Sequence, residues 1–354
     1  MMTPEGPPVL NGYAQVRAVL MDSRFAIHKP LMGTDGQAVL PAGQAERSRR
    51  IAPLSGVLAT HLSASHVRQL SDLVTRLVGQ RLADGLGRGG MELVADLAGP
   101  VPVLVMMALL GLPEADIAPL APLFDAITAG HDVGNSDRDR MKAHFALHAI
   151  GTWVEARRAE GPPSALQGAI AACARAEGIP APMVTYWLCM LLYAGSTTTR
   201  DFLVNLLVGL LENPDAASGL VGASPTALKI ALEELLRLEG PVRMVGRVLR
   251  EPMVLDGRAL PAGAAVYLNL EEANRDAAQF ANPLTLDLAR SPNPHLAFGT
   301  GVTFCLGAQL ARLEAMAVLQ AFLPHLSRME LQATPAWGTS RVLRGRQQAL
   351  IRFR

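Results

Sequence analysis

The chain has 354 residues, of which 50% are hydrophobic, with 32 basic and 31 acidic residues and a formal charge of +1. This length and apolar content support a large buried core, in one domain or two, while the near-neutral balance, spread along the chain, offers no electrostatic footprint for a nucleic acid. Three cysteines, Cys173, Cys189 and Cys305, are far apart and odd in number, which argues against a disulfide scaffold and fits a reducing, cytoplasmic setting.

Met1 to Leu10 has no basic segment leading into an apolar one, so no signal peptide is predicted. Arg47, Arg49 and Arg50 form the one basic cluster, which reads as a solvated helix face. Leu70, Val74, Leu77 and Val78 share a helical face, as do Phe145, Leu147, Ile150, Trp153 and Val154 in a later helix. Val101 to Leu112 is apolar but too short for a bilayer, and predicts a core helix. No membrane span is predicted: Ala181 to Thr199 is uncharged, yet it ends in hydroxyl residues and runs into Arg200 and Asp201. The apolar period continues from Pro182 to Leu211, predicting a helix roughly twice the average length, opened by Pro182 and closed by Glu212-Asn213-Pro214. Its middle, Ala194-Gly195-Ser196-Thr197-Thr198-Thr199, is small and hydroxylated where a core helix carries bulk. That composition fits a tight crossing with another helix, or a ligand lying against Gly195.

A further helix is predicted from the Ser224-Pro225 cap to Gly240-Pro241, with Glu234 and Arg237 three apart on one face, as a surface pair or a buried one. Strand signals are confined to short pieces, Val254-Leu255 and Val266-Tyr267-Leu268, beside the turns Asp256-Gly257 and Pro261-Ala262-Gly263. The chain reads as mainly α with a small β element, in a single domain over residues 1–354. Cys305 then lies in Phe298-Gly299-Thr300-Gly301-Val302-Thr303-Phe304-Cys305-Leu306-Gly307, directly before a helix marked by Leu306, Leu310, Leu313 and Ala317. Glycines permit tight turns and close approach of a flat ligand, and a thiol at a helix start faces the positive end of the macrodipole, which favours the iron-binding thiolate. The alternative for a lone cysteine in such a turn is a buried structural residue.

This loop resembles the haem-binding signature of the cytochrome P-450 family, Phe-Gly-x-Gly-x-(His/Arg)-x-Cys-x-Gly, with Thr303 in place of His or Arg, and it continues into Ala311-Arg312-Leu313-Glu314. Glu233-Glu234-Leu235-Leu236-Arg237 followed by Pro241-Val242 resembles the family's Glu-x-x-Arg helix and the strand after it; Asp287 and Arg290 resemble the stretch that buttresses that pair. The central hydroxyl segment is similar to Ala-Gly-x-(Asp/Glu)-Thr-(Thr/Ser), with Thr197 at the acidic position and Thr198 keeping the alcohol. Little sequence precedes Asp22-Ser23-Arg24-Phe25, so the N-terminal region is short for the family.

The resemblance implies a cytochrome P-450 fold, with haem b between the long central helix and the helix following the Cys305 loop. It implies Cys305 as the axial thiolate, with Phe298, Gly299 and Gly307 shaping its loop and Ala194 and Gly195 against the cofactor. Arg49, Arg247 and His295 are implied as propionate partners. Leu191, Ala194, Gly195, Thr198, Met244 and Val245 would line the substrate pocket, Thr198 and Thr197 would handle protons, and Glu234 and Arg237 would be structural. The implied activity is monooxygenation of a small to medium apolar molecule such as a secondary metabolite, with electrons from a ferredoxin-type donor and its reductase. Two alternatives accompany it: a haem-thiolate catalyst of oxidative coupling or peroxide-dependent oxidation, and a haem-based sensor or ligand carrier.

Overall fold

A computed structural model describes residues 7–26, 31–32, 38–39, 44–113, 116–161 and 163–354, without the side chains of residues 31–51 and of Val302. The chain is mainly helical, with small sheets at its margins. The helix at its centre is Ala181–Glu212, with Pro180 extended before it and Pro182 in its first turn, where a missing N–H costs nothing. From Phe202 to Leu210 nearly every side chain is buried, so this half is enclosed on all sides by other helices. Leu93–Ala98, one turn of π-helix, leads into Pro100–Leu110. Together they make the one described helical stretch apolar and long enough to cross a membrane; just over half of it is buried within the protein, with Leu93, Leu97 and Val101 fully covered. It is core.

The helix Asp137–Arg158 begins at a capping box between Ser136 and Asp139. Its buried side chains are Ala143, Ala146, Ile150 and Val154, whereas Phe145 is 65% exposed. The expected face therefore runs through the alanines and not through Phe145, which lies off the i, i+4 line that meets the central helix.

A four-stranded sheet runs in the order Val9–Leu10, Ala265–Asn269, Met244–Leu249, Phe25–Ala26. Its first pair is parallel and the others antiparallel, with Arg247 opposite Val266. Leu10, Val16, Phe25, Leu249, Val266 and Leu268 form a smaller core beneath it, separate from the large helical one. Met253–Leu255 and Arg258–Leu260 make a hairpin whose turn residues, Asp256 and Gly257, both have positive φ, the geometry that twists two-residue hairpins correctly.

Candidate active site

The helix Pro225–Glu239 starts on Ser224, whose hydroxyl accepts from the Ala227 amide at 3.2 Å. It carries Glu234 and Arg237 inward, at 0% and 2% exposure. Arg237 grips Glu234 with two hydrogen bonds of 2.7 Å and donates through Nη1 to the carbonyls of Asn274 and Pro283. Glu234 also accepts from Arg290 Nε, from Asn293 Nδ2 at 3.1 Å and from the Asp287 amide at 3.0 Å. Every lone pair of a desolvated carboxylate is thereby used, the condition under which a buried ion pair is tolerated. Asn274 carries the frame onward, accepting the Leu296 amide at 2.7 Å just before the cysteine turn.

The neighbouring Glu233 ties that turn down, a role its sequence position beside Glu234 gave no means to distinguish. It accepts Arg312 Nε and Nη2 at 2.7 and 2.8 Å and pairs with His295 Nε2 at 2.9 Å. Arg312 also lies over the Phe298 ring, 4.5 Å from its centroid. Burial works against ionisation of Glu233, yet the hydrogen bonds from Arg312 and His295 hold its pKa down to about 2. His295 Nδ1 accepts the Ala297 amide at 3.2 Å. Both ring nitrogens are therefore engaged, and His295, expected at a propionate, faces Glu233.

The turn itself holds Gly299 and Gly301 at φ 69° and 66°, both left-handed. A Cβ on Gly301 would fall 2.7 Å from Met21 Sδ, so the space it leaves is taken by the helix Tyr13–Met21 and not by a ligand. Cys305 donates its amide to the Phe298 carbonyl at 2.9 Å, closing the turn before the helix Ala308–Phe322. The residue is exposed, yet desolvation of the thiol raises its pKa, while the Gly307 amide, Arg312 and the Ala308 amide pull the other way. Cys189, by contrast, is a core thiol pushed up by burial to about 12, far from the thiolate range.

The otherwise buried central helix opens on one face. Ala194 is exposed, and Leu191, Gly195 and Thr198 are half-buried; Thr198 donates its hydroxyl to the Ala194 carbonyl at 2.7 Å. Gly195 does not leave room for a ligand along its Cα–Cβ direction: a Cβ there would meet Met106 Sδ at 2.4 Å, so the glycine serves a close helix crossing. Thr197 is 1% exposed and points away from the open face, its hydroxyl without a partner among the described residues. Met244 and Val245 are adjacent in one strand, whose pleat sends them to opposite sides. Val245 contacts the smaller core, so the two do not line one pocket wall together. Arg49 lies on the helix Gln44–His61, but its side chain is outside the described residues.

Arg247 supplies the test of fit for an anionic cofactor. It is 6% exposed, pairs with no carboxylate among the described residues and has its pKa drawn down by desolvation to about 10. It donates to Thr303 Oγ1 at 3.2 Å, in the turn that carries Cys305. A buried cation lacking an anion beside an accessible thiol fits a flat, carboxylate-bearing metal cofactor such as haem. A groove of about 520 Å³ lies on another side of this assembly, between the helices Ala64–Val67, Pro225–Glu239 and Ala308–Phe322, with Arg68, Lys229 and Arg312 among its lining.

Residues 226–336 match the family profile described as Cytochrome P450. The chain is 32% identical to "Cytochrome P450 monooxygenase PikC" of Streptomyces venezuelae over 99% of its own length and 87% of that protein. It is 28% identical to "Biotin biosynthesis cytochrome P450" of Bacillus subtilis, over 91% of this chain and 84% of that one. Among solved structures, myxobacterial cytochrome P450 CYP267B1 in complex with myristic acid superimposes with a TM-score of 0.86 at 26% identity, covering 100% of this chain and 92% of that one.

Proposed function

Because this chain belongs to the cytochrome P450 family and is a haem-dependent monooxygenase, we propose that it hydroxylates, or oxidises in a related way, a small to medium apolar molecule, as one domain over residues 1–354 working in the cytoplasm. The observation that carries this reading is the accessible Cys305 thiol set beside the buried, anion-less Arg247 guanidinium. Haem b, bound through Cys305, supplies the dioxygen and redox chemistry, and the protein supplies ligation, polarity and substrate pose.

Cys305 is the ligand, Arg247 the propionate partner, and Phe298 and Gly299 the shape of the turn. The open face of the central helix, Leu191, Ala194 and Thr198, borders the substrate. Myristic acid in CYP267B1 is in keeping with an apolar substrate. Electrons come from a separate ferredoxin-type donor with its reductase; Arg68, Lys229 and Arg312 around the 520 Å³ groove, next to the cysteine helix, suit an acidic donor. A second reading, oxidative coupling or peroxide-dependent oxidation, is favoured by the sealed Thr197 hydroxyl at the position where the family carries an acid.

The test is reduced protein under carbon monoxide. It should show the red-shifted band of a thiolate haem, abolished by Cys305→Ala and kept by Cys189→Ala, and reductant with dioxygen should yield oxidised product. Loss of the band in Cys189→Ala instead would overturn the ligand assignment. Product formed only with added peroxide would favour the second reading.

A further inference from the structure

Two histidines meet where the helix Gln44–His61 gives way to the short helix Ala64–Val67. The His61 and His66 rings lie 5.6 Å apart between centroids, at an interplanar angle of 42°. That tilt falls between the stacked and edge-on arrangements that aromatic pairs select. His61 Nδ1 lies 2.9 Å from the Val57 carbonyl oxygen, which can only accept, so Nδ1 carries the proton and Nε2 keeps its lone pair. His66 Nδ1 lies 2.9 Å from Ser63 Oγ, and that hydroxyl can give its own proton to Ser65 Oγ at 3.2 Å, which leaves it open to accept from His66. In that arrangement His66 Nε2 holds a lone pair as well. An imidazole whose Nδ1 donates to an oxygen is the form that ligates a metal ion, its tautomer and orientation fixed by the outer bond. Two imidazoles sharing a tetrahedral ion through nitrogens about 2.0 Å from it have ring centres roughly 5 Å apart, and a small rotation of the exposed His66 covers the difference.

We propose that His61 and His66 form a site for a divalent transition ion of the kind imidazole favours, such as Zn2+, separate from the Cys305 centre. Each Nε2 gives one lone pair to the ion. No third histidine, cysteine or carboxylate joins them among the described residues, so water fills the remaining positions and the ion is exchangeable, unlike a closed structural zinc. His61 lies in the last turn of its helix, the negative end of the macrodipole, which favours a cation there. Arg68, two residues beyond His66, opposes it, but Arg68 is exposed and its field is screened. The ion pins a corner of the molecule: on one side is the helix that carries Arg49, on the other the segment whose Ala64, Val67 and Arg68 line the 520 Å³ groove. It also adds positive charge to that rim. The rival pair is His144 and His148, four apart and exposed on the helix Asp137–Arg158. There His144 packs against Phe145, and neither ring has an oxygen partner to fix its tautomer among the described residues.

The site does not depend on the oxygenase reading, and its test needs no turnover. The untagged full chain, loaded with haem, is titrated with zinc chloride in a calorimeter, and its melting temperature is followed against Zn2+ concentration. The parent should take up Zn2+ at this site, with a melting temperature that climbs as the ion is added, because an ion that binds only the folded chain stabilises it by mass action. His61→Ala and His66→Ala should each abolish that uptake and that climb, with the haem spectrum unmoved. Ser63→Ala, which removes the outer partner of His66, should weaken binding roughly 10-fold. His66→Cys should keep it, since a thiolate also ligates Zn2+, and His148→Ala should bind as the parent does. No Zn2+ uptake by the parent, uptake unchanged in both His61→Ala and His66→Ala, or uptake lost in His148→Ala instead overturns the proposal. Should the half-buried His61 be needed for folding, His66→Ala on the surface decides alone, and unaltered binding there overturns it equally.

Discussion

The Arg247 guanidinium donates to the Thr303 hydroxyl at 3.2 Å, joining the strand Met244–Leu249 to the turn that presents Cys305. Its other acceptor is the Gly246 carbonyl at 2.9 Å. Two neutral acceptors leave a desolvated cation short of an anion, and on the proposed haem reading Thr303, at the His/Arg position of the family signature, would give a propionate only a hydroxyl beside Arg247.

Arg247→Met should therefore speed haem loss by about 10- to 100-fold, the worth of one charge-assisted hydrogen bond or two, measured as transfer of haem to an acceptor apoprotein. Thr303→His should slow it. Haem transfer unchanged in Arg247→Met would remove Arg247 from the cofactor site.

Glu234→Ala should cost about 3–5 kcal/mol, because it strands Arg237 and Arg290 in the core, and should give little soluble haem-bound protein. The double change Glu234→Leu with Arg237→Met should be less damaging than Glu234→Ala, since only Arg290 is then left without its carboxylate. Melting temperatures of the two variants and the parent decide the matter; an Ala variant that melts with the parent shows the pair to be dispensable.

Glu233 gives a pH dependence of defined sign. Its folded pKa of about 2 lies below the ordinary 4.5, so its contribution to stability is complete above the unfolded value and is lost as pH falls from about 4.5 toward 2. Glu233→Gln should lower stability at pH 7 by about 1–2 kcal/mol, reduced from the full shift because the side chain is 31% exposed. The loss of the parent between pH 5 and 2 should be shallower in the variant. Parallel acid-unfolding curves would contradict the pairing with Arg312 and His295.

Gly195→Ala tests whether that glycine serves packing or a ligand. The added methyl meets Met106 Sδ, so the change should cost about 1–3 kcal/mol and less when Met106→Ala is already present. The haem spectrum and substrate affinity should hardly move. A change confined to substrate affinity, with melting unaltered, would return Gly195 to the pocket.

Much of this architecture is written locally. The Ser224-Pro225 cap, the Pro182 start and the Asp256-Gly257 turn are short-range stereochemistry and lie within a residue or two of where sequence places them. Glu234 with Arg237, and Cys305 in its turn, were legible because their spacing is tied to the chemistry. What periodicity cannot convey is which neighbour fills a gap: Met106 at Gly195, Met21 at Gly301 and Glu233 at His295 are partners distant in sequence.

The pairing of Val9 with Tyr267 and of Phe25 with Leu249 has a temporal consequence. The Asn269 side chain donates to Asn11 across 258 residues, so the first strands wait, unpaired, for three-quarters of the chain to leave the ribosome. Ordering of this kind slows folding and exposes strand edges meanwhile. Arg247 and Cys305, the proposed haem partners, emerge in the same late part of the chain, and a chain that stalls before Ala265 has neither a partner for its Val9–Leu10 edge nor Cys305.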